Sequence, residues 1–205
     1  MKIICVGMNY TGHNEEMKNS SVSKEPVIFL KSDVSLLKDG KPFYIPDFSF
    51  DMQYEAEIVV KINRLGKNIA EKFAPRYYDN VTIGIDFTAR DLQDKLRETG
   101  MPWEISKAFD NSAAIGRFVS LTSLNENINN LSFRLDINGL TVQQGNTADM
   151  IFKTNQIIAY TSRFFSLKIG DLIYTGTPAG VGKIKVNDHL EGYINEQKLL
   201  DFYIK

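Results

Sequence analysis

Glu55 and Glu57 stand two apart in the otherwise apolar stretch Tyr54-Glu55-Ala56-Glu57-Ile58-Val59-Val60. In an extended strand residues i and i+2 project to one face, so the two carboxylates lie roughly 6–7 Å apart while Ala56, Ile58 and Val60 take the other. Two ionised acids that close repel each other. Water, a shared proton, a basic partner or a divalent cation relieves the repulsion. Taken alone, a Glu-x-Glu pair is most simply a solvated strand face, and a metal site needs further ligands. Asp86 offers a third oxygen donor, because it ends the apolar run Val81 to Ile85. Thr88-Ala89-Arg90-Asp91 then reads as a helix start capped by Thr88, which gives Asp86 the blander role of assisting that N-terminus. Three carboxylates, with one Cys and no obvious second His, form a hard ligand set suited to Mg²⁺, Mn²⁺ or Ca²⁺ rather than structural zinc.

His13 and Glu16 are the second constellation. If the polar segment around them turns helical, they share a face at i and i+3, where a carboxylate orients and charge-stabilises an imidazole acting as general base. A histidine with an acid three residues on is more often surface decoration. Lys107, flanked by Ala108 and Phe109, is either a snorkelling surface residue or a cation beside the acids. Thr175 to Gly182 is a loop of small residues whose N–H groups can approach a small anion, with the hydroxyls of Thr175 and Thr177 as added donors. A nucleotide loop is excluded there, since Lys183 is followed by Ile184.

The elements that position these residues are short and strand-rich. Ile3 to Val6, Val27 to Leu30, Phe43 to Ile45, Tyr54 to Ile62, Val81 to Asp86, Ala113 to Leu121, Leu131 to Ile137, Leu172 to Tyr174, His189 to Asn195 and Lys198 to Ile204 read as strands. Asn138-Gly139 predicts a type I′ hairpin. Helices are expected over Thr88 to Thr99 and Thr154 to Leu167, with a short one ending at Pro75. Thr11 to Ser23 lacks an apolar stripe and reads as a mobile lid over a ligand.

At 205 residues, 43% hydrophobic and 24% charged, the chain is an ordinary globular protein, one domain over residues 1–205. Net charge is −1 and no long Lys/Arg block occurs, so nucleic acid and membrane surfaces are excluded as partners in favour of a small molecule or a protein. Cys5 is the single cysteine and reads as a packing residue in a reducing compartment. The first apolar run is too short for a signal peptide and no later run reaches membrane-span length, which places the protein in the cytoplasm.

Taken in order, Gly7-x-Asn9-Tyr10-x-x-His13-x-x-Glu16, Phe29-Leu30-Lys31, Tyr54-Glu55-Ala56-Glu57, Asp86-Phe87-Thr88-Ala89-Arg90-Asp91-x-Gln93, Pro102-Trp103 with Lys107 and Phe109-Asp110, Asn138-Gly139 with Gln143, and Gly170-Asp171 before Thr175-Gly176-Thr177-Pro178 resemble the fumarylacetoacetate hydrolase family. The likeness is to its short, single-domain members of the acylpyruvate hydrolase and oxaloacetate decarboxylase type. It implies a β-rich α+β fold, a mixed β-sandwich roll with short helices, assembled as a homodimer. It implies Mg²⁺ or Mn²⁺ on Glu55, Glu57 and Asp86, a water-activating dyad of His13 and Glu16, charge balance by Lys107, and substrate contacts from Arg90, Gln93 and Thr177. The implied reaction is hydrolysis of a carbon–carbon bond in an acylpyruvate, a 2,4-dioxo acid, through a metal-stabilised pyruvate enolate. Oxaloacetate decarboxylation and isomerisation of a 2-hydroxyhepta-2,4-diene-1,7-dioate use the same three acids. A rival of another class is a non-catalytic domain that binds a metal or oxo acid. Two departures from the family pattern stand out: Met8, where many relatives carry Arg, and Thr11-Gly12 ahead of His13.

Overall fold

Runs of β-branched and apolar residues make the strands, and their pairing sets where the acids go. The computed structural model describes residues 1–17 and 23–205. In chain order its first half contains β1 (Ile3–Gly7), α1 (Thr11–Glu16), β2 (Val27–Lys31), β3 (Leu36–Leu37), β4 (Met52–Tyr54), β5 (Ala56–Ile62), β6 (Tyr78–Asp86), β7 (Thr88–Ala89), α2 (Arg90–Glu98), α3 (Glu104–Lys107), β8 (Ala113–Ile115) and β9 (Val119–Ser120). The main sheet has eight strands in the order β2, β1, Leu172–Tyr174, β5, β6, β8, β3, with β9 also on β6. It is mixed: β1 runs parallel to Leu172–Tyr174 and β3 to β8, and the other pairs are antiparallel.

A four-stranded antiparallel sheet, Leu140–Asn146, Ser132–Ile137, His189–Ile194 and Gln197–Tyr203, packs on this one. The approach is close at Gly192, where an added Cβ would sit 2.9 Å from the Ile83 side chain. Between the layers lie Ile58, Val60, Ile83, Ile85, Leu135, Leu190 and Leu200, all buried, with Ile157 and Ile158 of the helix Thr154–Phe164 in the same cluster. Removing these side chains from water supplies most of the drive to fold, about 25 cal/mol per Å². The opposite face of the main sheet buries Cys5 with Ile3, Val59 and Tyr174, so Cys5 is a packing residue. The fold is thus β-rich α+β with short helices, and no helix among the described residues is long and apolar enough to cross a membrane.

The hairpin at Asn138-Gly139 forms with both residues at positive φ, 53° and 78°. Five expectations need correcting, the first being Phe43 to Ile45, which makes only an isolated bridge from Phe43 to Ile204 and no strand. Tyr54 to Ile62 is not one strand, because the chain leaves β4 in a small three-stranded sheet and enters β5 in the main one, with Glu55 at the step between them. Ala113 to Leu121 is likewise split, since Gly116 passes so close to Leu199 that a Cβ would lie 2.5 Å from its carbonyl oxygen. Pro75 does not end its helix. It lies inside a 3₁₀ segment, Glu71–Tyr77, whose short turns ask less of the missing N–H. Thr88 does not cap α2, which starts at Arg90 with no side-chain cap, for Thr88 belongs to β7 and its hydroxyl is used elsewhere.

Candidate active site

Backbone pairing brings the acids together. Ala56 pairs with Ile85 and Glu57 with Gly84, and the Asp86 N–H donates to the Glu55 carbonyl at 2.8 Å. Glu55, Glu57 and Asp86 are all buried, and each offers an oxygen within 4.8 Å of the other two. Gly84 leaves room for side chains of the same sheet, because a Cβ there would sit 2.8 Å from both Tyr174 and Val59.

Three buried cations face these acids. Lys107, on α3, donates to Glu55 Oε2 at 2.8 Å, Asp86 Oδ2 at 2.9 Å and the Thr88 hydroxyl at 2.6 Å. Arg90, on α2, pairs with Glu55 Oε1 at 2.5 Å, donates to Gln53 at 3.0 Å and bonds Gln93 through its remaining nitrogen. Lys31, at the end of β2, reaches Asp86 Oδ1 at 2.6 Å and donates to the Ser112 carbonyl at 2.8 Å. Burial works to raise the Glu55 pKa, but Lys107 and Arg90 outweigh it and hold the carboxyl far below its usual range. Glu57 goes the other way: burial, then the charges of Asp86 and Glu55, push it well up. Burial also works against the Lys107 ammonium, yet Asp86 and Glu55 prevail and raise its pKa.

The donor set fits a divalent cation. All three ligands are carboxyl oxygens, and Asp86 Oδ1 accepts no directed hydrogen bond although it is buried, Lys31 beside it offering charge without the alignment. A second grouping, His189, Glu191 and Asp201, also converges. It differs in being partly exposed and already paired, with Lys198 at 2.8 and 2.7 Å from the two acids and His189 Nε2 at 2.7 Å from Asp201.

The His13 side of the site is built on Asn9. Its buried amide donates to the Thr175 and Phe152 carbonyls at 2.7 and 3.0 Å and accepts from the Phe152 N–H at 2.7 Å, which fixes the chain just before α1. Helix α1 then places His13 and Glu16 three apart, with His13 Nδ1 3.4 Å from Glu16 Oε2. Both Glu16 oxygens also accept from the Gly180 N–H at 3.2 Å. Burial lowers the His13 pKa below 6.5, with Glu55 and Glu16 pulling the other way. The segment expected to form a lid is therefore helical over Thr11–Glu16, and residues 18–22 lie outside the described residues.

His13, Glu55, Glu57, Asp86, Arg90, Gln93, Lys107 and Thr177 share one small chamber of about 40 Å³, with Val6, Gly7, Met8, Met17, Phe29, Arg97 and Trp103 completing its wall. The candidate site residues singled out in the sequence line it except Glu16, which stands behind His13, and Thr175, whose hydroxyl donates to the Ile58 carbonyl at 2.8 Å. Thr177 is held by its neighbours: its hydroxyl donates to the Ala56 carbonyl at 2.9 Å and accepts from Gln143 at 2.7 Å. The glycine loop does bind anions through its backbone, but they are the chain's own carboxylates, Glu57 at Gly176 (2.7 Å) and Glu16 at Gly180. Lys31 and Thr88 are the residues in contact with the acids that spacing alone missed. For Lys31 a signal existed, a lysine closing the apolar strand Val27 to Leu30.

Lys31 does not itself line the chamber and reaches it only through Asp86, so it is a positioning residue. Lys31→Met should weaken divalent-metal binding about 10- to 100-fold, as loss of a partner behind a ligand does. Metal titration followed by calorimetry checks this, and unchanged affinity in a folded variant would reduce Lys31 to packing.

Comparison with known proteins agrees with this geometry. Residues 2–202 match the family model described as fumarylacetoacetate (FAA) hydrolase C-terminal. The oxaloacetate tautomerase YcgM of Escherichia coli (strain K12) is 39% identical over 189 residues, covering 92% of this chain and 86% of the relative. The human mitochondrial oxaloacetate tautomerase FAHD1 is 36% identical over 203 residues, 99% of this chain and 91% of the relative. Among solved structures, a Pseudomonas aeruginosa fumarylpyruvate hydrolase in complex with Mn²⁺ and pyruvate superposes with a TM-score of 0.93 at 31% identity, over 100% of this chain and 89% of that one. A 2-hydroxyhepta-2,4-diene-1,7-dioate isomerase from Mycobacterium marinum gives 0.85 at 30% identity, over 99% and 73%. The sheet order, the carboxylate cluster and these likenesses converge, and the chain belongs to the fumarylacetoacetate hydrolase family.

Proposed function

We propose that this protein interconverts the keto and enol forms of a short 2-oxo acid of the oxaloacetate type, with Mg²⁺ or Mn²⁺ held by Glu55, Glu57 and Asp86. The observation that carries the reading is the placement of His13, backed by Glu16, in the wall of the same small chamber as the three acids. When bound, the cation would supply positive charge to the oxygen on which the enol's negative charge develops. His13 is kept neutral by burial and is ready to accept a proton, and Glu16 at Nδ1 leaves Nε2 for the substrate. In the keto-to-enol direction the C3–H bond breaks, its electron pair forms the C2=C3 bond, and the proton taken up by the His13 imidazole is passed on to the 2-oxo oxygen, which leaves His13 neutral again. The reverse returns it to C3. Lys107 and Arg90 hold Glu55 in place while this occurs, and the small chamber favours a compact acid over one with a long acyl tail. The names of the curated relatives support the same choice.

Hydrolysis of an acylpyruvate is the second reading. It is favoured by the His13–Glu16 pair, which also suits removal of a proton from water, and by the likeness to a fumarylpyruvate hydrolase. Decarboxylation of oxaloacetate requires only the carboxylate end of the site. The decisive experiment follows the ultraviolet absorbance of enol-oxaloacetate in the protein's presence, with and without chelator, while pyruvate is assayed separately. Chelator-sensitive loss of enol without pyruvate release is expected. Pyruvate formed from oxaloacetate would favour decarboxylation, and pyruvate formed from acetylpyruvate would favour hydrolysis. No acceleration on either acid would overturn all three.

A further inference from the structure

Among the described residues, eight that are not glycine adopt a positive φ, and seven of them are Asn or Asp, whose short polar side chains tolerate that conformation. Met8, with φ 61°, is the exception. A long unbranched side chain gains nothing from a left-handed backbone, so the surroundings impose it. Gly7 ends β1 in register with Val27, Asn9 is buried and anchored to Thr175 and Phe152, and the Met8 carbonyl accepts from the Asn14 amide at 3.1 Å. Glycine or asparagine would meet the same backbone demand with less strain, so the strain at position 8 points to a use for the side chain rather than for the turn. Met8 is half-buried in the chamber wall, whose other apolar members are Val6, Met17, Phe29 and Trp103.

We propose that Met8 is a specificity-determining residue whose side chain stops the chamber and sets the longest 2-oxo acid it admits. This rests on the reading above that the chamber takes a short 2-oxo acid, and it names the group that enforces the limit. The free space is about 40 Å³, so added methylenes have to displace the wall. Methionine is a flexible side chain, but its root is not free here. The backbone held between Asn9 and Asn14 fixes the direction of the Cα–Cβ bond, and an ordinary φ would send that bond elsewhere. Deleting the side chain beyond Cβ should turn the stop into an apolar recess, in which each buried methylene of a longer acid is rewarded instead of resisted. The sign of the chain-length preference therefore depends on this one residue.

Calorimetry on the Mg²⁺-supplemented protein compares 2-oxobutanoate, which has the carbon count of oxaloacetate, with 2-oxohexanoate for wild type, Met8→Ala, Met8→Gly and Met8→Leu. Wild type should bind the shorter acid about 10- to 100-fold more tightly, the range that crowding a packed wall produces. Met8→Ala and Met8→Gly should cancel or reverse that preference with Mg²⁺ affinity unchanged, and Met8→Leu, a swap of similar volume, should retain it. A melting curve separates backbone from side chain: Met8→Gly should melt about 2–4 °C above Met8→Ala, since glycine alone is free of the left-handed penalty. Equal melting of the two would overturn the premise that methionine is strained at this position. Equal affinity of wild type for the two acids, or an unchanged preference in both truncated variants, would overturn the proposal and leave the oxo-acid reading standing. Binding of neither acid to wild type would overturn both.

Discussion

Glu57→Gln is expected to lower divalent-metal affinity by at least two orders of magnitude and turnover by about 10³-fold, while the protein stays folded. The fold should tolerate it because the packing at this point belongs to Ala56 and Ile58, both fully buried, and the glutamine oxygen can still accept the Gly176 N–H. Burial and the two neighbouring acids already press Glu57 toward its neutral form, which the amide resembles in shape and charge. What the variant lacks is an anionic oxygen for the cation, so the deficit should show in metal content before it shows in thermal stability. Calorimetric metal titration beside a melting curve measures both. A variant with normal metal binding and normal turnover would remove Glu57 from the ligand set.

His13→Gln tests the other half of the site. Loss of a positioned acid–base group costs 10²- to 10⁴-fold, and metal affinity should be unaffected because His13 is no part of the carboxylate cluster. The pH profile carries a second expectation. Burial depresses the His13 pKa below 6.5, so the neutral, proton-accepting imidazole persists into more acid solution than an exposed histidine would allow. The acid limb of kcat/KM should therefore lie below pH 6.5 and vanish in the variant. The sign for stability follows from the same shift. The unfolded chain takes up a proton near 6.5 and the folded one resists it, so the stability linked to His13 is present above 6.5 and is lost as pH falls through the lower folded value. Full turnover without His13 would remove it from the chemistry, and oxo-acid binding without turnover in the wild type would instead suit a domain that catalyses nothing.

Period-two alternation made Glu55 and Glu57 readable as a pair even though the chain changes sheets at Glu55, because the step leaves both carboxyl groups on the same side of the opening. Asp86 was readable from its place at a strand end, and His13 with Glu16 from helical spacing. Lys31 and Thr88 were not, and the reason is distance along the chain. The role of Lys31 depends on reaching Asp86 and Ser112, 55 and 81 positions away, which only the assembled strand order brings close. Local signals misled at Thr88, where the hydroxyl that looked like a cap goes to Glu55 and Lys107 instead. The glycine loop was readable as an anion binder, but not which anion, since its partners Glu57 and Glu16 lie more than a hundred residues upstream.

Three buried carboxyl groups, Glu55, Glu57 and Asp86, face three buried cations, Lys31, Arg90 and Lys107. Glu57, pressed toward its neutral form on its own, would ionise to hold a cation; the protein's charges in this region then cancel, and a divalent ion leaves a surplus of positive charge in a medium that screens poorly. A doubly charged anion removes that surplus. Metal and dicarboxylate are thereby thermodynamically linked: each should raise the other's affinity by the same factor, commonly 5- to 150-fold for such couplings. Under the proposed function, metal retention would then depend on the supply of the acid as much as on the concentration of free cation.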